Sequence, residues 1–476
     1  MLQDNNMNNS ILRKVTSLTL LSILLASTAA MVLPTAMPAA HAQVASHPNL
    51  FVSAENSQYN NYFAGPQVVQ VIVSDPNINR LDQKYGEPVV TINGKRLRMA
   101  QATDGNWYGY FADRTQAEIA SNTAPLHGKG LNFGVFCGTG QISGIDFGAE
   151  SKGFTVAQAA VVASGGKGLS TTGSKISIGG LSNACTFNAA GNGTVFEHVI
   201  RQNKTLNTNA AGYAATTQLE AAWPVIQLED FSGFPTSVTV DYQAAGGDQV
   251  VNLTFDRIPS NLISVTPDRT AYPENAQVFL TMNDPQLNID PTEEDSWTWG
   301  SNANNNTLYY EAFDRNGHAD ADGTAAMQNL VGNLTSMMFN HNGAFTFNDA
   351  SQGVRVVDFQ GNGKQLLNGS STTRGDPAKQ HTLSVGTGSQ PITFIEGGGV
   401  NTGVFSNADG SRKSNIVTLT PAEEGANSIR GQSATFRYND ISGSIVGGFA
   451  FGSITMTATN NTWASGQRIP VTLTDM

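Results

Sequence analysis

ISVTPDRTAYPENAQVFLTMND, running from Ile263 to Asp284, opens with a strand-like stretch, passes an aromatic at Tyr272 and closes on an aspartate after an alternating strand. The same pattern returns without a gap as ITMTATNNTWASGQRIPVTLTD from Ile454 to Asp475. A looser copy, LFVSAENSQYNNYFAGPQVVQVIVSDP, lies nearer the N-terminus. In all three an aromatic (Phe63, Tyr272, Trp463) stands twelve residues before the closing aspartate (Asp75, Asp284, Asp475). Repetition at this period means stacked copies of one structural unit, with the aromatic as a core anchor beneath the strand that follows it.

Working outward, the rest of the chain is also written in short alternating strands. VVQVIV, TSVTVDY, QVVNLTF and SATFRYN are bounded by Gly, Asn and Asp, and TINGKRLRM places a hairpin turn at Asn93-Gly94. DGNWYGYFADR (Trp107, Tyr108, Tyr110, Asp113) and NNNTLYYEAFDR (Tyr309, Tyr310, Phe313, Asp314) read as recurring aromatic strands. The spacing of Ala326, Met327, Leu330, Val331, Leu334, Met337 and Met338 predicts a short helix, and a second is expected around Thr217–Ala222, stopped by Pro224. The expected fold is therefore all-β: tandem Ig-like β-sandwich modules with one or two short helical insertions.

The expected organisation begins with a leader over 1–42. Arg13 and Lys14 precede an apolar run from Val15 to Leu33, and Ala40-His41-Ala42 offers a cleavage site before Gln43. An uncleaved membrane anchor is the other reading of that run. An N-terminal Ig-like sandwich follows over 43–122, a second β-rich domain over 123–262, a third with the helical insertion over 263–380 and a fourth over 381–453. Residues 454–476 begin a further module, as expected of a truncated form or a fragment of a longer array.

Composition narrows the function. The formal charge is −11, and loss of Asp4, Arg13 and Lys14 with the leader takes it one unit further negative. An acidic surface attracts small cations and repels nucleic acid, and there is no basic stripe. After the leader no apolar segment is long enough to span a membrane. The two cysteines, Cys137 and Cys185, sit in short apolar runs of an exported chain, which suits a disulfide pinning two strands; two buried thiols are the alternative.

Catalytic signatures are missing: the sequence holds no HExxH, G-x-S-x-G or P-loop, and Gly165-Gly166-Lys167-Gly168 lacks the phosphate-cradle spacing. His127, His198, His318, His341 and His381 are scattered without ligand spacing. The chain is read as a non-enzyme.

Hard oxygen donors cluster after the repeated aspartates. Asp284, Asn288, Asp290, Glu293, Glu294 and Asp295 form one candidate site for Ca2+ or another divalent cation, and Asp75, Asn77, Asn79 and Asp82 a weaker one. Solvated turns with Asx caps are the alternative. Candidate N-glycosylation sites are Asn192, Asn203, Asn305, Asn368 and Asn460, with Asn252 and Asn333 weaker because they lie within strand and helix patterns.

Three long stretches carry a family resemblance: FVSAENSQYNNYFAGPQVVQVIVSDPNIN, GEPVVTINGKRLRMAQATDGNWYGYFADR and NDPQLNIDPTEEDSWTWGSNANNNTLYYEAFDRNG. In these the chain resembles the S-layer proteins of ammonia-oxidising archaea, over nearly all of the sequence after the leader. The resemblance implies a glycosylated two-dimensional lattice of identical subunits at the cell surface, with divalent cations in its assembly and an acidic sieve that ammonium crosses. A secreted adhesion or carbohydrate-binding protein built from the same modules is the alternative function.

Overall fold

The computed structural model describes residues 47–82, 85–123, 131, 133–137, 152–156, 161–163, 168–169, 175–176, 185–187, 199–200, 204–207, 223–272, 277–299, 308–312, 328–329, 335–339, 345–347, 354–358, 392–407, 417–421, 433–438, 440–447, 453–456, 465–466 and 468–474. The leader expected over 1–42 lies outside them, as does the helix expected around Thr217–Ala222. The fold is all-β.

In chain order the first half contains β1 (Leu50–Val52), β2 (Tyr62–Phe63), β3 (Val69–Val73), β4 (Val90–Ile92), β5 (Lys95–Leu97), β6 (Ala100–Gln101), β7 (Trp107–Asp113), helix α1 (Arg114–Thr123), β8 (Val135–Cys137) and β9 (Phe154–Val156). Four short strands follow: β10 (Val161–Ala163), β11 (Gly168–Leu169), β12 (Lys175–Ile176) and β13 (Cys185–Phe187). It closes with β14 (Val225–Glu229), β15 (Thr236–Tyr242) and β16 (Gln249–Phe255).

One sheet runs β1-β3-β7-β14-β9-β8, with β6 also on β7; the other runs β2-β16-β15-β4-β5. Alternation decides which residues meet between them. Val69, Val71 and Val73 from the first sheet and Val238, Val240, Val251, Leu253 and Phe255 from the second share one buried cluster with Phe63. The Asn93-Gly94 turn forms as expected, both residues at positive φ, with Ile92 opposite Lys95.

The second half contains β17 (Ser264–Pro267), β18 (Ala271–Tyr272), β19 (Gln277–Val278), β20 (Leu280–Asn283), β21 (Asp295–Trp299), β22 (Leu308–Ala312), β23 (Gln328–Asn329), β24 (Phe345–Phe347), β25 (Val354–Asp358), β26 (Ile392–Glu396), β27 (Val404–Ser406), β28 (Val417–Pro421), β29 (Ser433–Tyr438) and β30 (Ile441–Gly447). Its sheets run β17-β20-β27-β26-β21-β22-β23, β18-β30-β29-β24 and β19-β28-β25. A last antiparallel pair joins β31 (Ser453–Met456) to β32 (Val471–Thr474).

The repeat is visible in the topology. Each copy makes an antiparallel pair ending just before its aspartate: β1 with β3, β17 with β20, β31 with β32. In the first two copies the anchoring aromatic ends a two-residue strand that pairs parallel with the last strand of its half, β2 on β16 and β18 on β30. Phe63 and Tyr272 are both buried. The second sheets then continue alike, β16-β15-β4 and β30-β29-β24, antiparallel throughout.

Several expectations are corrected. The gapless alignment sets Ile263 against Ile454, yet Val265 faces Met282 as Ile454 faces Leu473, so the first strand is slipped by two residues. An even slip keeps the same face inward, and Ile263 and Val265 are both apolar and buried, so either register satisfies the core. The aromatic stretches are not equivalent: β7 pairs with β3, whereas β22 lies four strands from β20. The sheets also cross the expected limits at 122/123 and 380/381, because β14, β15 and β16 return to the strands of the first sheets and β26 and β27 sit between β20 and β21.

The helix expected over 326–338 is not formed where it is described. Gln328–Asn329 pairs with Tyr309–Tyr310 as a strand, and Thr335–Met337 is a 3-10 turn. Met338 has φ 68, which ends any right-handed helix, and Met337, Met338 and Phe339 are all buried in succession. Met338 joins the core of the first half, and its two neighbours join the larger cluster that spans both halves. The helix observed instead, α1, is capped by Asp113, whose Oδ1 accepts the Gln116 amide at 2.9 Å.

Candidate functional site

The closing aspartates of the first two copies, Asp75 and Asp284, are buried and hydrogen-bonded. Asp75 follows β3, and its Oδ1 accepts both the backbone and side-chain NH of Asn77 at 2.9 Å. Its Oδ2 accepts the Tyr242 hydroxyl at 2.7 Å. Asp284 follows β20 and repeats the arrangement: Oδ1 accepts the Gln286 amide at 3.1 Å, and Oδ2 accepts Gln286 Nε2 at 2.9 Å and the Tyr438 hydroxyl at 2.6 Å. Tyr242 and Tyr438 are the last residues of β15 and β29, equivalent strands of the two halves. Each aspartate thus ties the end of one sheet to the end of the other.

Burial decides how Asp284 titrates. Asp284 is fully buried, which pushes its carboxyl up to about 6 despite the bonds from Gln286 and Tyr438 that favour the charged form. Burial, and then the neighbouring Asp75, raises the Tyr242 phenol, which stays protonated and donates.

The segment after Asp284 folds back on itself. Asp295 Oδ2 accepts the amides of Ile289 and Asp290, the latter at 3.0 Å, and Asp290 Oδ1 accepts the Thr292 amide at 2.9 Å. Beside them lies Glu396, at the end of β26. Its Oε1 accepts the amides of Thr402 at 2.6 Å and Gly403 at 2.9 Å, and its Oε2 the Asp295 amide at 3.4 Å. Burial, and then repulsion from Asp295, holds the Glu396 carboxyl well above the ordinary glutamate range.

This loop is also the seam between the halves. Gln67 Nε2 donates to the carbonyls of Pro285 at 2.6 Å and Asn288 at 2.7 Å, while its Oε1 accepts the Ala64 amide. The Val68 amide reaches Ile289 O at 3.0 Å, the Tyr59 hydroxyl reaches Gly403 O at 3.1 Å, and Asn401 Nδ2 reaches Ser53 O at 2.9 Å. Gly403 has φ +65, and a Cβ there would stand 2.9 Å from Pro285 Cα and against the Tyr59 ring, so the approach requires glycine. A cleft of about 30 Å³, room for a water or two, opens among Tyr59, Gln67, Asn288 and Thr402.

Of the oxygen donors proposed from sequence in the second copy, Asp284, Asp290 and Asp295 are engaged as acceptors for the protein's own NH and OH groups. Asp284, Asp290, Glu293 and Asp295 are buried, and Asn288 is half-buried with Nδ2 on Asn401. In the first copy the set is dispersed: Asp75 is buried on Tyr242, whereas Asp82 is exposed and ion-paired to Arg80 at 2.6 Å, and Asn79 follows the turn at 76–78. Among the described residues no group of three or more His, Cys, Asp or Glu has the arrangement of a metal-ligand set. Glu396, Tyr242, Tyr438, Gln67 and Gly403 were not singled out in the sequence. The available signal for the tyrosines was their shared position, closing the alternating strands TSVTVDY and SATFRY.

Cys137 is disulfide-bonded, and Cys185 is the other cysteine of the chain. Asn192, Asn203, Asn305, Asn333, Asn368 and Asn460 lie outside the described residues; Asn252 is exposed on β16. No described helix is long and apolar enough to cross a membrane. A comparison with known protein families finds none whose model matches this chain, and no curated protein matches it significantly.

Proposed function

We propose that the chain is an exported structural component of a cell-surface S-layer, built from Ig-like sandwich modules and assembling with copies of itself into an acidic, permeable lattice. The observation that supports this reading is the repetition of one architectural plan. Two halves carry the same sheet-to-sheet lock, Asp75 on Tyr242 and Asp284 on Tyr438, and a third strand pair starts the pattern again. Asp284, Asp295 and Glu396 serve packing, since their oxygens accept internal amides and hydroxyls rather than standing open to a substrate. Export through the leader, glycans on some of the sequons and Ca2+ or a related cation bridging surface carboxylates between subunits belong to the same proposal, as does the attraction of ammonium to the acidic faces.

Electron microscopy of the native cell envelope, with peptides identified from the stripped layer, tests it. An ordered array yielding these peptides is expected, and a chelator should loosen it. Recovery of the protein as a soluble monomer that binds sugars, with no array, would instead favour the adhesion reading.

A further inference from the structure

A buried histidine guards the outer edge of the first sheet. β1 stands last in that sheet's strand order. Asn49 O accepts the Ser74 amide at 2.9 Å and Ser53 N donates to Gln70 O at 2.9 Å. Alternation therefore turns the main chain of Leu50 and Val52 away from β3. Bare groups on such an edge are a template for a foreign strand. Here they are taken locally: Leu50 N donates to His47 O at 3.3 Å, Leu50 O lies 2.9 Å from His47 Nδ1, and Val52 O accepts the Glu55 amide at 2.9 Å.

His47 is 6% exposed, and its other ring nitrogen, Nε2, lies 3.0 Å from Glu55 Oε1. A backbone carbonyl and a carboxylate can only accept, so both ring nitrogens have to donate, and only the imidazolium carries two N–H groups. A neutral ring keeps one bond and turns a lone pair on the other oxygen. The bond to Leu50 O is buried, whereas Glu55 is exposed and water can satisfy it, so Glu55 is the partner that is lost. The acids on the neighbouring strands are engaged elsewhere or face solvent. Asp75, after β3, bonds Asn77 and Tyr242, and Asp248, before β16, is exposed. Among the described residues the one ion pair of His47 is with Glu55.

We propose that His47 is a proton-operated latch. Charged, it ties the segment ahead of β1 to the loop behind it and closes the sheet edge; neutral, it lets the loop go. That loop runs on into the seam through Ser53 O, which accepts Asn401 Nδ2, and Tyr59, which donates to Gly403 O. Closure is thus strongest at acid pH and weakens as the ring gives up its Nε2 proton. The inference stands on this geometry alone, independently of the lattice proposal.

Hydrogen exchange of the full chain, read as protection factors at about pH 5.5 and pH 8, tests it. The Leu50 and Glu55 amides should lose about fivefold or more in protection at the higher pH, relative to the amides of β15 and β16. Glu55→Gln separates a latch from a plain structural contact. Its amide can accept from a charged ring and donate to the Nε2 lone pair of a neutral one, so protection should stay high at both pH values. His47→Phe, which keeps a ring but no donor, should give low protection at both. Equal protection of the unaltered chain at the two pH values overturns the proposal. So does a fall that Glu55→Gln leaves in place, or a Glu55→Gln chain poorly protected throughout.

Discussion

A single phenolic hydroxyl closes each half of the molecule. Tyr438 donates to a carboxylate that is fully buried, so Tyr438→Phe removes one of the acceptor's partners without giving water access to replace it. A loss of about 1.5–3 kcal/mol in unfolding free energy is expected, the range for a bond to a charged group, measurable by denaturant titration. Tyr242→Phe should act in the same direction through Asp75. The pH dependence has the opposite sign from that of an ordinary salt-bridged acid. Asp284 titrates near 6 in the folded chain and near 3.9 when unfolded, so the folded state keeps a proton that the unfolded state has released. Stability contributed at this site therefore falls as pH rises from about 4 to about 6, and Glu396, raised by burial and Asp295, shifts the balance the same way at higher pH. Thermal melts across that range should show a decline that Asp284→Asn removes.

At the scale of elements, the sequence disclosed strands far better than it disclosed their partners. Alternation in TSVTVDY and QVVNLTF is a local property, and those strands form where it places them, as does the Asn93-Gly94 hairpin. The parallel pairing of β2 with β16 spans nearly two hundred residues and leaves no local mark, so the expected limit at 122/123 fell across a shared sheet. The helix was misplaced for a related reason. Of the residues in that spacing only Met337 and Met338 are described, and these neighbours enter two different cores, whereas the better signal was Asp113 three residues before Gln116, a capping pattern ahead of Ala117 and Ala120. Asp113→Ala strips the acceptor from Gln116 N and from Phe231 N, and should cost about 1–3 kcal/mol together with loss of helical signal. Asp113→Asn, which keeps one acceptor oxygen, should retain part of both. The candidate site was legible only in part: the Asp284–Asp295 segment stood out as acidic, but Glu396 reaches it from a strand a hundred residues away.

Across the whole molecule the two halves are joined by a shared apolar cluster and by a seam of hydrogen bonds made by few side chains. Gln67→Ala removes the donor to Pro285 O and Asn288 O at once. Its expected signature is faster cleavage by protease within the 284–295 loop, with β15, β16 and the far end of the first half still protected from hydrogen exchange. The seam bonds described above, and one more from Arg257 Nη1 to Phe339 O at 3.1 Å, all end on main-chain carbonyls: Pro285, Asn288, Ile289, Gly403, Ser53 and Phe339. A carbonyl is present whatever residue carries it, so drift at the accepting positions other than Gly403, whose close approach requires glycine, leaves the contact legible to its donors. Mutational sensitivity is thereby concentrated on the givers, Gln67, Tyr59 and Arg257 on one lip of the joint and Asn401 on the other, and a family of such proteins would be free to diversify the accepting positions around them.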